Sequence, residues 1–334
     1  MRYLKYVAPA LAAMFIVDAA SADTVRVRFQ TFYGTEIDDI AKKFQDYVKE
    51  ASGGSVKIQY FRGGEMVASD QMVEGVSRGT VDIAYGVGSY WPGTVEIGNI
   101  EAGLPGAWTS TEEARDVFEN KGLGDLVAQA YAEHGVKVVG RGYGSDYDLL
   151  TKSPVTRLDD LKSMKIRATS QIAKMLQNVG IATVYLPAQE LYIGMSTGVI
   201  DGAIYGGPME YEELKLNETG KNYTFLNLLN PGWIETAIAN EKFWDDKLDD
   251  AQRKVLAEGI DQYARDIHQW LEDGNQAIID AGEKFDFAEL PAEDSARLTE
   301  AAQVVWQEEA AKSDRNKQAV DILTANAREK GRLK

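Results

Sequence analysis

The chain of 334 residues contains no cysteine. Disulfides, thiolate nucleophiles, iron–sulfur clusters and zinc–thiolate centres are therefore excluded. Histidine is nearly as scarce: only His134 and His268 occur, in no metal-ligand spacing, and both read as ordinary surface or core residues. Basic residues are also short, with 36 Lys and Arg against 52 Asp and Glu, a net charge of −16. Such a field argues against general affinity for nucleic acid or an anionic membrane, so any anion must be caught by a local exception to it. The N-terminal apolar run, Val7 to Val17, falls short of the ~20 residues that cross a bilayer. Arg2 and Lys5 precede it and Ala20-Ser21-Ala22 follows, the pattern of a secretory signal spanning 1–22 and cleaved after Ala22, with Asp18 as its one irregularity. An exported chain of this size can hold its fold by its core alone, without disulfide staples.

What is present is an alternation of two periodicities. Val25-Arg-Val-Arg-Phe29 alternates apolar and charged residues and predicts a half-buried strand, followed by a helix over about 35–50. Strands at 56–60 and 81–85 flank a helix over 69–78; a helix over 111–134 then leads to strands at 136–140 and 148–151. A second unit repeats the grammar, with strands at 164–168, 183–186 and 202–205 separated by helices over 171–179 and 189–197. Each unit carries a similar turn, Gly79-Thr-Val-Asp82 in one and Gly198-Val-Ile-Asp201 in the other. Residues 217–230 read as polar and irregular, 236–240 as one more strand, and 249–284 and 292–330 as long helices. The expectation is an α/β protein of two lobes, each built on a largely parallel sheet, with a ligand cleft between them.

Few motifs carry chemistry. Gly140-Arg-Gly-Tyr-Gly144 is no dinucleotide loop, because a strand rather than a helix follows it. Asn217-Glu-Thr and Asn222-Tyr-Thr fit a glycosylation sequon but read as ordinary loop residues. Arg167, at the end of the strand Lys165-Ile-Arg, is the candidate anion anchor: a buried guanidinium needs a partner, and its planar fork matches a carboxylate. Glu65, in the Gly-rich loop Arg62-Gly-Gly-Glu-Met66, is a candidate hydrogen-bonding group. Aromatic residues gather at strand ends and are candidate pocket walls: Phe32, Tyr90, Trp91, Tyr147, Tyr205 and Trp233. No convincing Ser-His-Asp set or metal cluster is present, so the chain does not read as an enzyme.

Lys165-Ile-Arg-Ala168, Leu186-Pro-Ala-Gln-Glu-Leu-Tyr192 and Gly198-Val-Ile-Asp-Gly202 resemble the extracytoplasmic solute-binding proteins of tripartite ATP-independent periplasmic (TRAP) transporters, the DctP-like family. The resemblance covers essentially the whole mature chain. Gly88-Ser-Tyr-Trp91, Tyr205-Gly-Gly-Pro208 and Asn230-Pro-Gly-Trp-Ile-Glu235 look closest to the branch that binds 2-oxo and 2-hydroxy monocarboxylates. It implies a periplasmic, monomeric protein with crossing strands and a long lobe-spanning helix. One lobe would hold 23–146 and about 234–276, the other 147–233 and about 277–330. It further implies that Arg167 forms a salt bridge to the ligand carboxylate, that Tyr205 contacts the ligand, and that the filled lobes close and dock on membrane permease subunits. In the 2-oxo acid branch a glutamate commonly precedes that aromatic and helps hold a metal ion; here the residue is Ile204, which implies direct anion binding without metal or other cofactor. A small sulfonate or an aromatic carboxylate is the alternative ligand, and a chemosensory partner the alternative to transport.

Overall fold

The computed structural model describes residues 24–333, so the signal at 1–22 lies outside the described residues. The chain opens with β1 (Val25–Thr31), α1 (Asp38–Ala51), β2 (Val56–Phe61), α2 (Met72–Ser77) and β3 (Ile83–Val87). It continues through α3 (Gly98–Ala102), α4 (Thr111–Glu119) and α5 (Leu123–Ala132) to β4 (Val136–Tyr143). It then crosses to β5 (Leu149–Thr151), β6 (Lys165–Arg167), α6 (Ser170–Asn178), β7 (Ala182–Val184), α7 (Leu191–Thr197), β8 (Gly202–Ile204), α8 (Pro208–Glu213) and β9 (Asn222–Phe225). It returns as β10 (Ile234–Asn240) and ends in α9 (Asp250–Ala281), β11 (Asp286–Glu289), α10 (Ala292–Ala310) and α11 (Asp314–Glu329).

Two sheets result, one per lobe, in the orders β2-β1-β3-β10-β4 and β11-β9-β5-β8-β6-β7. The alternation in β1 buries Val27 and Phe29, and α1 covers that face with the stripe Ile40, Ala41, Phe44 and Val48. The sheets are mixed rather than largely parallel. β1 runs parallel to β2 and β3, and β6 parallel to β7 and β8, but β10 is antiparallel to β3 and β4, and β5 to β8 and β9. The exceptions flank the two passages between sheets, where a strand arriving from the other lobe needs no crossover helix and enters in the opposite sense.

The predicted helix over 111–134 is two helices: the first ends at Glu119, and Gly122, at φ +94° in a left-handed conformation, starts the second. That over 292–330 also breaks, at Ser313, whose hydroxyl accepts from the Asn316 amide at 3.1 Å and caps α11. α11 packs on α3, α4 and α5 of the first lobe as well as on α10, and Asn326 donates to Glu113 at 2.6 Å. α9, about 48 Å long at 1.5 Å per residue, packs against α1 and β4 of one lobe and α8 of the other. Its start is fixed by Asp249, which accepts from the Gln252 amide at 2.8 Å.

Candidate functional site

Strand polarity brings the site together. Phe32 and Tyr33 follow β1, Tyr90 follows β3, Arg167 ends β6, Tyr185 follows β7 and Tyr205 follows β8. All these strands run parallel within their own sheet, so their carboxyl ends discharge side chains into one cleft. Tyr147 and Trp233 reach it from the two interlobe passages, 144–148 and 226–233.

Arg167 is 4 % exposed. Its Nε donates to the Leu186 carbonyl at 3.0 Å and its Nη1 to the Ile204 carbonyl at 2.9 Å, so the ends of the neighbouring strands aim the fork. The guanidinium carbon lies 5.5 Å from the Tyr185 ring centroid and 5.3 Å from that of Tyr205. Among the described residues no carboxylate pairs with it and Nη2 has no acceptor. Burying a cation costs several kcal/mol unless an anion and further hydrogen bonds compensate, and two carbonyl dipoles supply only part of that.

Four phenols surround this charge. Tyr90 keeps 37 % of its surface exposed, and its partial burial among these rings raises it above the usual phenol range, with Tyr147 and Tyr205 adding to the effect and Arg167 opposing it. Burial likewise pushes Tyr147 up to about 12, against the pull of Arg167. Tyr205 is raised by burial and then by Glu210, with Arg167 again opposing. These three groups therefore stay protonated at neutral pH and remain donors. Among the described residues, the hydroxyls of Tyr90, Tyr147, Tyr185 and Tyr205 bond no other side chain or backbone group. Phe32 meets the edge of Tyr90 at 5.7 Å, and Trp233 packs on Tyr147 at 5.3 Å while its indole N–H donates to Glu235 at 3.1 Å.

Two candidates from the sequence stand elsewhere. Trp91 is 2 % exposed in the first lobe's core; its indole N–H donates to the Tyr131 hydroxyl at 2.7 Å, and Tyr131 donates to Glu101 at 2.7 Å. An aromatic pair at a strand end puts one ring in the cleft and the other in the core, and here Tyr90 takes the cleft. Glu65 is exposed, and its carboxylate accepts from the Arg62 amide at 3.0 Å and pairs with the Arg62 guanidinium at 3.4 Å. Nothing joins it to the cluster around Arg167.

Other groups were not legible as site residues. Tyr185 is 62 % exposed yet lies over Arg167. Ser89 and Asn99 from one lobe face Thr169 and Gln171 from the other across a cavity of ≈ 20 Å³ backed by Tyr147 and Trp233, room for about one water-sized group. Among the described residues, Asn99 Oδ1 and Gln171 Oε1 are buried without donors, while Gln171 Nε2 is spent on Glu309 at 2.7 Å. Among the described residues no three acidic or histidine side chains converge as metal ligands.

Comparison with known proteins agrees with this geometry. The family profile "Bacterial extracellular solute-binding protein, family 7" (DctP) matches residues 34–313. The chain is 26 % identical over 216 residues to a monocarboxylate 2-oxoacid-binding periplasmic protein of Nostoc sp., covering 64 % of this chain and 57 % of that protein's length. It is 28 % identical over 246 residues to the ectoine-binding periplasmic protein TeaA of Halomonas elongata, covering 71 % and 69 %. Among solved structures, a TRAP periplasmic solute-binding protein of Chromohalobacter salexigens with bound (S)-(+)-2-amino-1-propanol superposes with a TM-score of 0.83 at 22 % identity, covering 92 % of this chain and 96 % of that one. The Bordetella pertussis receptor that binds pyroglutamic acid gives 0.78 at 20 %, covering 90 % and 100 %.

Proposed function

We propose, from the premise that the chain belongs to the DctP family of bacterial extracellular solute-binding proteins, that it captures a small organic anion in the periplasm by lobe closure and delivers it to the membrane permease of a TRAP transporter. The ligand in this reading is a monocarboxylate such as a 2-oxo or 2-hydroxy acid. One observation carries it: Arg167 is buried, aimed by two backbone carbonyls, and has no carboxylate partner among the described residues. A ligand carboxylate would supply the missing charge, and the phenols of Tyr90, Tyr147 and Tyr205 would donate to its oxygens or to an adjacent oxo or hydroxy group. Closure removes water from this contact and strengthens it. In this reading 23–146 with about 234–276 forms one lobe and 147–233 with about 277–330 the other, α11 reaching back onto the first.

The aromatic walls favour a second ligand, a ring-bearing carboxylate flanked by Tyr90, Tyr147 and Trp233. A thermal-shift panel of short oxo acids, hydroxy acids, sulfonates and aromatic acids separates the two. A ligand binding only the folded protein raises its melting temperature by mass action, by about 2.7 kcal/mol of stability at a hundred times Kd. Short 2-oxo or 2-hydroxy acids are expected to give the largest shifts; a shift confined to aromatic acids would favour the second reading, and none with any anion would contradict both.

A further inference from the structure

The passage between β4 and β5 carries more negative charge than its surroundings can neutralise. Gly144 donates its amide to the Trp233 carbonyl at 3.0 Å and Gly232 its amide to the Ser145 carbonyl at 2.6 Å, so the outward and return passages run side by side. α8 and α9 close over them: Asn275 on α9 donates to the Ser145 hydroxyl at 2.7 Å and accepts from the Met209 amide at 2.9 Å, and Glu210 on α8 accepts from the Gly207 amide at 2.9 Å. Asp146 and Asp148 from the passage, Glu210 from α8 and Glu235 from β10 gather at this joint, and Glu272, exposed on α9, adds its charge near Asp146. Among the described residues none of these carboxylates pairs with a lysine or arginine.

Their neutral partners are unequal. Asp148 is served by the Leu226 amide at 2.7 Å and the Tyr223 hydroxyl at 2.9 Å, and Glu235 by the hydroxyls of Tyr33 and Tyr85 and the indole of Trp233. Asp148 and Glu235 are thus solvated by hydrogen bonds from within their own lobes. Asp146 is not: among the described residues its Oδ1 is buried without a donor. Glu210 has the Gly207 amide at 2.9 Å and the Ser145 hydroxyl as neutral partners, and shares the field of Glu235 and Asp146 and of the phenols of Tyr33, Tyr147 and Tyr205. Arg167 acts on the phenols of Tyr147 and Tyr205 that Glu210 also affects, and His268 on α9 acts on Glu235, its Nδ1 without a partner among the described residues.

We propose that lobe closure takes up protons at this joint: Asp146 and Glu210 hold protons while the lobes are shut and give them to water when the joint opens, so that capture and release are linked to pH. The proposal rests on the closure reading above. Its sign follows from solvation. Both side chains are half-buried: burial, then Asp148 and Glu272, push Asp146 up to about 7, and burial, opposed by the Gly207 amide and Ser145 hydroxyl and aided by Glu235 and Asp146, pushes Glu210 up to about 8. In an opened, hydrated joint both return toward the ordinary carboxylate value of about 4. The shut form therefore binds more protons between these limits, is favoured as pH falls, and loses that advantage as pH rises through about 7 to 8.

The absence of cysteine makes the test direct. Lys57→Cys on β2 and Lys165→Cys on β6, both exposed positions on different sheets, carry spin labels, and pulsed dipolar spectroscopy reads the interlobe distance without ligand from about pH 5.5 to about 8.5. The open-to-shut ratio should rise with pH, by up to about tenfold per unit for each titrating group. Asp146→Asn and Glu210→Gln, chosen to keep shape and hydrogen bonding and checked by circular dichroism, should each flatten the curve and together abolish it. Two distances in a pH-independent ratio, or an unchanged pH dependence in the double variant, would overturn this proposal alone. A single distance at every pH, with and without the anion panel, would overturn the closure reading with it.

Discussion

Arg167 is useful because its neighbours fix it without neutralising it. The Leu186 and Ile204 carbonyls orient the fork and leave its charge unspent, and Ile204 contributes only backbone, where a side chain could have competed for the cation. Ligand binding should therefore survive chelation: a panel anion that stabilises the protein should shift its melting temperature equally with and without EDTA, and loss of the shift would demand an ion the direct-contact reading does not contain. The neighbouring candidates separate by the same logic of partners. Trp91 spends its indole on Tyr131, so Trp91→Ala should cost about 3–5 kcal/mol in denaturant unfolding, the usual loss for a buried aromatic, while the folded fraction keeps its ligand affinity. Glu65 spends its carboxylate on Arg62, and Glu65→Ala should change calorimetric affinity by less than about 0.5 kcal/mol, as for surface substitutions generally.

The elements that matter most are the two passages. Gly232 leaves no room for a side chain, since a Cβ there would lie 2.7 Å from the Ser145 carbonyl oxygen and 2.8 Å from the Tyr147 amide nitrogen. Gly232→Ala should destabilise the protein by about 1–3 kcal/mol, the scale of overpacking, and weaken ligand binding besides, because Tyr147 and Trp233 flank the strained joint; an unfolding midpoint equal to wild type would contradict the tight passage. Much of this architecture was legible in sequence wherever apolar periodicity was long: β1, α1, the strand carrying Arg167 and the long α9 stand where their patterns put them. β9 and β11 were not, because four residues such as Asn222-Tyr-Thr-Phe225 or Asp286-Phe-Ala-Glu289 carry little pattern and become strands by pairing with each other across some sixty residues. The helix breaks at Gly122 and Ser313 were marked by a glycine and a capping serine inside otherwise continuous helical runs. The aromatics at strand ends announced a pocket but not which ring of Tyr90-Trp91 would face it, since that depends on the local turn after β3. Tyr185 and the acidic joint carried no signal, because residues 146, 210 and 235 come within each other's field only in the folded chain.

At the scale of the whole molecule, a strongly acidic protein presents the buried Arg167 guanidinium, unpaired among the described residues, to a cleft between two lobes, ringed by phenol donors and backed by carboxylates that pair with no lysine or arginine there. The net charge of −16 repels anions at long range, so affinity for one has to come from the desolvated contact itself. The most direct test of that claim is titration calorimetry of Arg167→Ala against the wild type, using the anion of the panel that raises the wild-type melting temperature most. The account predicts a loss of about 2–5 kcal/mol, the scale of removing one partner of a buried charge pair, with the variant's fold intact by circular dichroism. Affinity equal to the wild type's would contradict it.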